Sequence, residues 1–312
     1  MTHSLSSKEK LLKIGGVVIN WQNMEMLEKN EFHIPIESDD LTAIDVLVKA
    51  SGLSRQEIKR AMQKGCVWLE NSNYTQRLRR AKKLLEKGAI LHCYYDKKVL
   101  DEIPSEAQLI SDEGHYSIWN KPAGMFSQGS KWGDHCTIYR WAEKHLKPER
   151  PAFIVHRLDR AASGLIILAH KKKIAAQFAA MFQKKALKKH YHVWVEGDFS
   201  KLVSKESPVL IIIDKLDDKA AESHVRLCEV TSNHNCKQQQ SLLDVEIKTG
   251  RKHQIRRHLA GINYSVVGDR LYGTGNSQDD LQLKAVFLSF DCPETGKLQK
   301  YSLPSTSFLP IS

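Results

Sequence analysis

The densest polar cluster in an apolar setting is His156-Arg157-Leu158-Asp159-Arg160. It follows the short apolar run "AFIV" and precedes "GLIILA". A polar pentapeptide between two segments of that kind predicts a loop at a sheet end, a common seat for catalytic groups. A carboxylate there can serve as nucleophile or as proton acceptor. The same residues also fit a salt-bridged turn in which Asp159 ties down Arg157 or Arg160. A second cluster, "GRKHQIRRH" at 250–258, follows an alternating segment and opens a helix. Arg251, Lys252, His253 and Arg256 fall within two turns of that helix's N-terminus, where positive side chains oppose the dipole. Such an arrangement predicts an anionic partner, a phosphate or a carboxylate; the alternative is an exposed basic helix end. A third point is Tyr191, in "LKKHYHVWVEG". A lone tyrosine in a strand reads first as packing.

Other chemistries fit less well. A glycosidase needs two carboxylates at a defined separation, and no second acid lies near Asp159 in sequence. His253 and His258 are five residues apart and share a helix face poorly, so no metal site is expected from them or from His190 and His192. The six cysteines, at 66, 93, 136, 228, 236 and 292, form no CxxC pair. Neither a zinc ribbon nor a thioredoxin-like site is suggested.

These clusters need elements to hold them. The 312 residues suffice for two domains with buried cores. Hydrophobic residues at 41% and charged residues at 27% argue against intrinsic disorder. The longest apolar runs, such as 165–169 and 209–213, are far short of the roughly 20 residues of a membrane helix. The opening "MTHSLSSKEK" leads into no long apolar stretch, so a signal peptide is not expected and the location is read as cytoplasmic. The formal net charge is +11, which favours polyanionic partners. Its distribution sharpens that reading. Between 55 and 83 nine basic residues face only Glu57 and Glu70, and between 170 and 190 there are seven lysines and no acid. Two such concentrations suit a phosphate backbone better than solubility alone.

Residues 1–30 read as an arm interrupted by Gly15-Gly16, and 31–36 as a short extended segment. Asp39 and Asp40 are N-cap candidates for a helix with Leu41, Ile44, Leu47 and Val48 on one side, stopped by Gly52. Ser54 with Glu57 is a capping-box pattern for a second helix ending at Gly65. Strands are expected at 66–69 and 89–95. On the second helix Arg55, Lys59 and Arg60 form an exposed basic face with no acid of its own. The acidic, Pro-containing stretch 99–113 reads as a linker. Beyond it, strands are expected at 116–119, 164–170, 189–196, 241–247 and 285–290, with helices at 171–185 and from 254 to 259. Within 189–196, Tyr191, Val193 and Val195 alternate with His190, His192 and Trp194. The fold class expected is α+β, with a mixed, largely antiparallel catalytic sheet and a central cleft at 114–312. A small two-helix, short-strand domain at 31–98 precedes it.

Two resemblances complete the sequence reading. "LSRQEIKRAMQKGCVWLEN" with "KGAILHCYY" resembles the small RNA-binding module shared by a ribosomal small-subunit protein and several RNA-modifying enzymes. The module would grip structured RNA through Arg55, Lys59 and Arg60, by phosphate contacts that position without reading sequence. Further along, "NKPAGM", "HRLDRAASGLIILA", "KKHYHVWVEG" and "GRKHQIRRHLA" occur in that order. In order and spacing they resemble the RluA-type pseudouridine synthases over about residues 113–292. Ala162 stands where that family commonly has Thr, and Lys252 where Thr or Ser is common.

The resemblance implies an isomerase that breaks the N1–C1′ bond of uridine, turns the base and rejoins it through carbon 5. Bond order is exchanged, so no redox cofactor, ATP or metal is required. By resemblance Asp159 acts at the ribose, Arg256 offsets its charge, with Arg251 as second candidate, and Tyr191 stacks on the uracil. The uridine must leave its stack, and Arg157 would contact RNA around the vacated space. The lysines from 171 to 189 would add phosphate contacts. The expected partner is structured RNA, large-subunit ribosomal ahead of transfer RNA, and the expected state is a monomer without membrane or metal. The rival is a non-catalytic RNA-binding or ribosome-assembly factor on the same scaffold; a nucleic-acid hydrolase is a weaker one.

Overall fold

The structure is a computed structural model that describes residues 11–14, 17–20, 28–232, 239–273 and 280–304. Much of the expected arm, including Gly15-Gly16, lies outside the described residues; within it β1 (Leu11–Ile14) and β2 (Val17–Asn20) pair as an antiparallel hairpin. The chain divides into two compact units. The first comprises residues 1–103 together with 129–136, and the second residues 104–128 with 137–312.

In the first unit, β3 (Lys29–Pro35), α1 (Ala43–Ser51), α2 (Arg55–Lys64), β4 (Val67–Glu70), β5 (Thr75–Arg77), β6 (Ile90–Asp96) and α3 (Lys97–Asp101) follow in chain order. The strands form one four-stranded sheet in the order β3-β6-β4-β5. Ser54 and Glu57 close a reciprocal capping box on α2, and Gly52 and Gly65 end the two helices in the left-handed conformation. Thr42, rather than Asp39 or Asp40, caps α1. Asp39 instead accepts from the Lys87 amide at 2.7 Å, which holds it in the turn ahead of the helix. Ile44, Leu47, Ile58 and Met62 are buried against Val67, Leu91 and Cys93.

The second unit contains β7 (Gln108–Asp112), β8 (Tyr116–Lys121), α4 (Ile138–His145), β9 (Phe153–Ile154), β10 (Ser163–Ala169), α5 (Lys172–Gln183) and β11 (Lys188–Glu196). It continues with β12 (Val209–Leu216), β13 (Lys219–Ser232), β14 (Gln239–Ile247), α6 (Gln254–Gly261), β15 (Leu283–Asp291) and β16 (Leu298–Ser302). One sheet runs β12-β13-β14-β11-β15-β10-β8-β7, with β16 on β15 and β9 on β10. Among the described residues of this sheet only β10 and β15 run parallel; the other pairings are antiparallel. The architecture is thus mixed α+β with antiparallel pairing dominant.

Burial explains the order. β10 is an unbroken apolar run and lies inside the sheet, with residues 164–169 all buried. Each fully buried Leu or Ile there contributes about 1.5–3 kcal/mol. β11 alternates, sending Tyr191, Val193 and Val195 inward. Gly164, with φ +108°, sits where β10 meets β15: a Cβ there would lie 2.2 Å from the Ala285 carbonyl oxygen. Only a residue without a side chain allows that approach.

The boundary between the two units, between residues 103 and 104, falls inside the stretch 99–113 expected as a linker. Its start completes α3 and its end is β7, paired with β8, with no helix or strand over 102–107. One of its acids, Asp112, is an ion-pair partner of Arg150. Residues 129–136, expected in the catalytic part, belong to the first unit. Asp134 is their anchor, buried and paired with Arg79 at 2.5 Å and Arg77 at 3.4 Å.

Candidate active site

The loop between β9 and β10 carries the polar pentapeptide, and it is fastened at several points. The Ile167 amide donates to His156 Nε2 at 3.0 Å. Enclosure pulls that imidazole down to about 3, so it stays a neutral acceptor. Ser127 Oγ donates to the Leu158 carbonyl at 2.7 Å and accepts from the Leu158 amide at 3.0 Å. Arg160 exchanges bonds with Gly124, its Nε donating to the carbonyl and its own carbonyl accepting from the Gly124 amide. Beneath the loop lies Lys121, wholly buried. Its ammonium donates to the carbonyls of Ala162 at 2.6 Å, Met125 at 2.9 Å and Pro122 at 3.0 Å. Burial pulls Lys121 down to about 7, while the charge of Asp159 pushes the other way. The carbonyl cage also favours the protonated form.

All five residues of the loop, 156–160, line a cavity of about 1010 Å³. That volume is at the upper end of ordinary small-molecule sites. Tyr191 and Arg256 line it as well. The Asp159 carboxylate accepts from Arg256 Nη1 at 3.2 Å. Arg256 is itself held by a planar two-bond pairing to Asp269, Nε to Oδ2 and Nη2 to Oδ1, both at 2.7 Å. Burial disfavours both charges of that pair, but each more than offsets the cost for the other. The Arg256 guanidinium ends above its ordinary value and the Asp269 carboxyl below its own. Asp269 also accepts from the amides of Leu271 and Tyr272. The guanidinium is thus locked from behind and presents one N–H to Asp159.

The α6 N-terminus is set by Gln254. Its Oε1 accepts from the Arg251 amide and from Thr249 Oγ1, and its Nε2 donates to the Glu222 carbonyl and Ser223 Oγ. His253 takes φ +52° at the cap, a strained position for a side chain of that size, costing roughly 1–3 kcal/mol. Its Nε2 stands 3.9 Å from Asp159 and its Nδ1 3.0 Å from the Tyr272 hydroxyl. Burial holds His253 below its usual value, against the pull of Asp159. Arg251, the second candidate for pairing with Asp159, instead donates to the Ala220 carbonyl at 3.0 Å and lines the cavity from there.

Tyr191 sits in β11 where the pairing with β15 shifts register between His190 and Tyr191. The extra residue, Val286, belongs to β15, so the alternation of β11 is kept. Burial, and then the Asp159 charge, push the Tyr191 phenol up, so it is a neutral hydroxyl at ordinary pH. Among the described residues no group of three or more His, Cys, Asp or Glu could hold a metal ion. No helix there is long and apolar enough to cross a membrane.

Comparison with known proteins gives this geometry a context. A family model described as RNA pseudouridylate synthase matches residues 115–261. The tRNA pseudouridine synthase C of Haemophilus ducreyi is 30% identical over 209 residues, covering 59% of this chain and 84% of that protein. The chain belongs to the RNA pseudouridine synthase family. It is an enzyme that isomerises uridine in RNA. An uncharacterized RNA pseudouridine synthase of Chloroflexus aurantiacus is 28% identical over 277 residues, 83% of this chain and 84% of that one. The structure of human RNA pseudouridylate synthase domain containing 1 shares the fold, with a TM-score of 0.53 at 18% identity over 67% of this chain and 88% of that one.

The cavity of this pseudouridine synthase family member gathers Asp159, Tyr191, Arg256, Arg157 and Arg251. Arg55, Lys59 and Arg60 are elsewhere, exposed on α2 of the first unit. The α2 face expected to lack acids has one brought to it: Asp45 of α1 pairs with Arg55 at 2.5 Å. Asp269 and Lys121 went unassigned in the sequence reading. Lys121 lies inside the quoted "NKPAGM", where an otherwise apolar neighbourhood was the available signal. Asp269, in "VVGDRLYG", had a similar apolar approach and a Gly turn.

Proposed function

We propose that Asp159 acts at the ribose of a uridine flipped out of large-subunit ribosomal RNA into this cavity. One observation carries the proposal: a carboxylate at the cavity wall, 3.2 Å from a guanidinium that Asp269 holds from behind. That pairing aims the Asp159 carboxylate. The carboxylate serves either by attacking C1′ or by assisting loss of the C2′ proton to a glycal; both routes need it ionised. The N1–C1′ bond breaks, uracil turns on the Tyr191 ring, and C5 bonds to C1′. The proton on C5 then leaves while N1 takes one up, so the product is an isomer with nothing gained or lost. Arg157 fills the space the base vacates, and extrusion costs a few kcal/mol that stacking and backbone contacts recover.

The first unit is the proposed RNA dock, through Arg55, Lys59 and Arg60, and this supports a large structured RNA as substrate. A second reading, transfer RNA, draws on the printed names of relatives such as that of Haemophilus ducreyi. Asp159→Asn tests the chemistry: tritium release from RNA labelled at uridine C5 should fall by roughly 10³-fold or more, the scale of losing a nucleophilic or proton-transfer group, while RNA retention survives. Full release by that variant removes Asp159 from the mechanism. Mapping pseudouridines in total RNA with and without the gene decides the substrate: a site lost from large-subunit RNA supports the first reading, one lost only from transfer RNA the second.

A further inference from the structure

Two lysines of the catalytic unit are drawn away from water, and they are treated very differently. Lys121 has three carbonyl oxygens within 3.0 Å. Lys189 lines the cavity and has no carboxylate paired with it among the described residues. Its ammonium stands 5.3 Å from the centre of the Phe182 ring. It also reaches to 3.9 Å from where a Cβ at Gly250 would lie. Loss of water alone pulls it down to about 8. A cation held this way costs free energy in the empty enzyme, and an anion brought by the ligand removes that cost.

The substrate class identifies the anion. Uracil and ribose are neutral, and the only charged group of a uridine within RNA is its phosphodiester. Lys189 and Tyr191 are two residues apart on β11, so both point to the same face, roughly 7 Å apart by the strand's rise. That is about the reach from a stacked base to a phosphate flanking its own sugar. We propose that Lys189 is a positioning residue whose ammonium binds the phosphodiester beside the target uridine while the base lies on Tyr191. The inference rests on the placement of the flipped uridine given above, and it adds a fixed grip on the backbone within the catalytic cavity itself. The grip sets how far the nucleotide enters, and hence the height of its ribose relative to Asp159.

The test uses the full-length chain and total RNA, tritiated at uridine C5, from cells lacking the gene. Wild type is compared with Lys189→Gln, Lys189→Arg, Lys189→Met and Asp159→Asn. For Lys189→Gln the half-saturating RNA concentration should rise about tenfold, and the slope of log affinity against log salt should shrink by roughly one charge. Lys189→Arg should restore both. Without RNA, Lys189→Met should melt no lower than wild type, because it deletes an unpaired cation. An unchanged salt slope in Lys189→Gln, an arginine variant as defective as the glutamine one, or a clear fall in the melting temperature of Lys189→Met would each overturn the proposal. Normal tritium release by Asp159→Asn would instead overturn the reading on which it rests, and leaves the salt-slope result to be judged separately.

Discussion

Two basic regions of this enzyme look alike in sequence and are physically opposite. The start of α6 carries Arg251, Lys252, His253 and Arg256, and its central charge is buried, bound in two places to Asp269 and aimed at Asp159. The outer face of α2 carries Arg55, Lys59 and Arg60, all exposed, with one of them paired to Asp45. A guanidinium whose geometry is already set by folding can hold a carboxylate in one place. Solvated cations on long stems can attract a phosphate backbone but cannot hold one atom in place. The first arrangement suits chemistry and the second suits docking.

That contrast can be broken in four ways. Arg256→Met should have the largest effect, because it leaves Asp269 buried without its counter-ion. A stability loss of about 3–5 kcal/mol is expected, with tritium release at background; normal melting and turnover would erase the distinction between the two regions. Tyr191→Leu comes next. Loss of a base–aromatic stack is worth roughly 1–3 kcal/mol, so both RNA affinity and turnover should drop, whereas Tyr191→Phe, which keeps the ring, should keep affinity. Equal affinities for the leucine and phenylalanine variants would remove the stack from the account.

The third effect is a slope rather than a loss. Lys121 is pulled to about 7 in the native state against 10.5 as an ordinary lysine. Between those values the unfolded chain carries a proton that the native lysine has shed. Stability therefore rises with pH across that window and is lost as pH falls toward 7. Denaturant unfolding from pH 7 to 9 should show the rise, and Lys121→Met should flatten it; parallel curves for the two proteins would mean that the carbonyl cage keeps Lys121 charged throughout. The smallest effect belongs to α2. Arg55→Glu with Lys59→Glu should weaken RNA binding severalfold and reduce its salt slope by about two, leaving the turnover of bound RNA unchanged. A binding curve identical to wild type would take α2 out of RNA docking.

Much of this was legible in the residues. Strand alternation placed Tyr191, Val193 and Val195 on one buried face, the Ser54–Glu57 pattern marked the start of α2, and the unbroken run after Ser163 announced an interior strand. The dipole argument at α6 predicted an anionic partner, and Asp159 is one. What escaped depends on contacts between distant parts of the chain. Asp269 is the stronger partner of Arg256, yet its apolar approach and Gly turn do not say which cation it meets. Lys121 reads as a solvent-facing charge until Met125, Pro122 and Ala162 turn their carbonyls toward it. Asp134 and Arg79, 55 residues apart, tie a segment of the later chain to the first unit, a pairing no spacing rule contains. At 99–113 composition marked the boundary between the units but not the ion pair of Asp112 with Arg150, since it records charge and not whom the charge meets.

The fastening of the loop ahead of β10 has a consequence for chain length. His156, Leu158, Asp159 and Arg160 each answer to a different partner, the Ile167 amide, Ser127, Arg256 and Gly124. These partners lie at separate places in the chain, so the loop has little slack to share among them. Deleting a residue between 156 and 159 would break one of these ties or draw the carboxylate away from its guanidinium. The segment is therefore intolerant of the very length changes that most surface loops absorb.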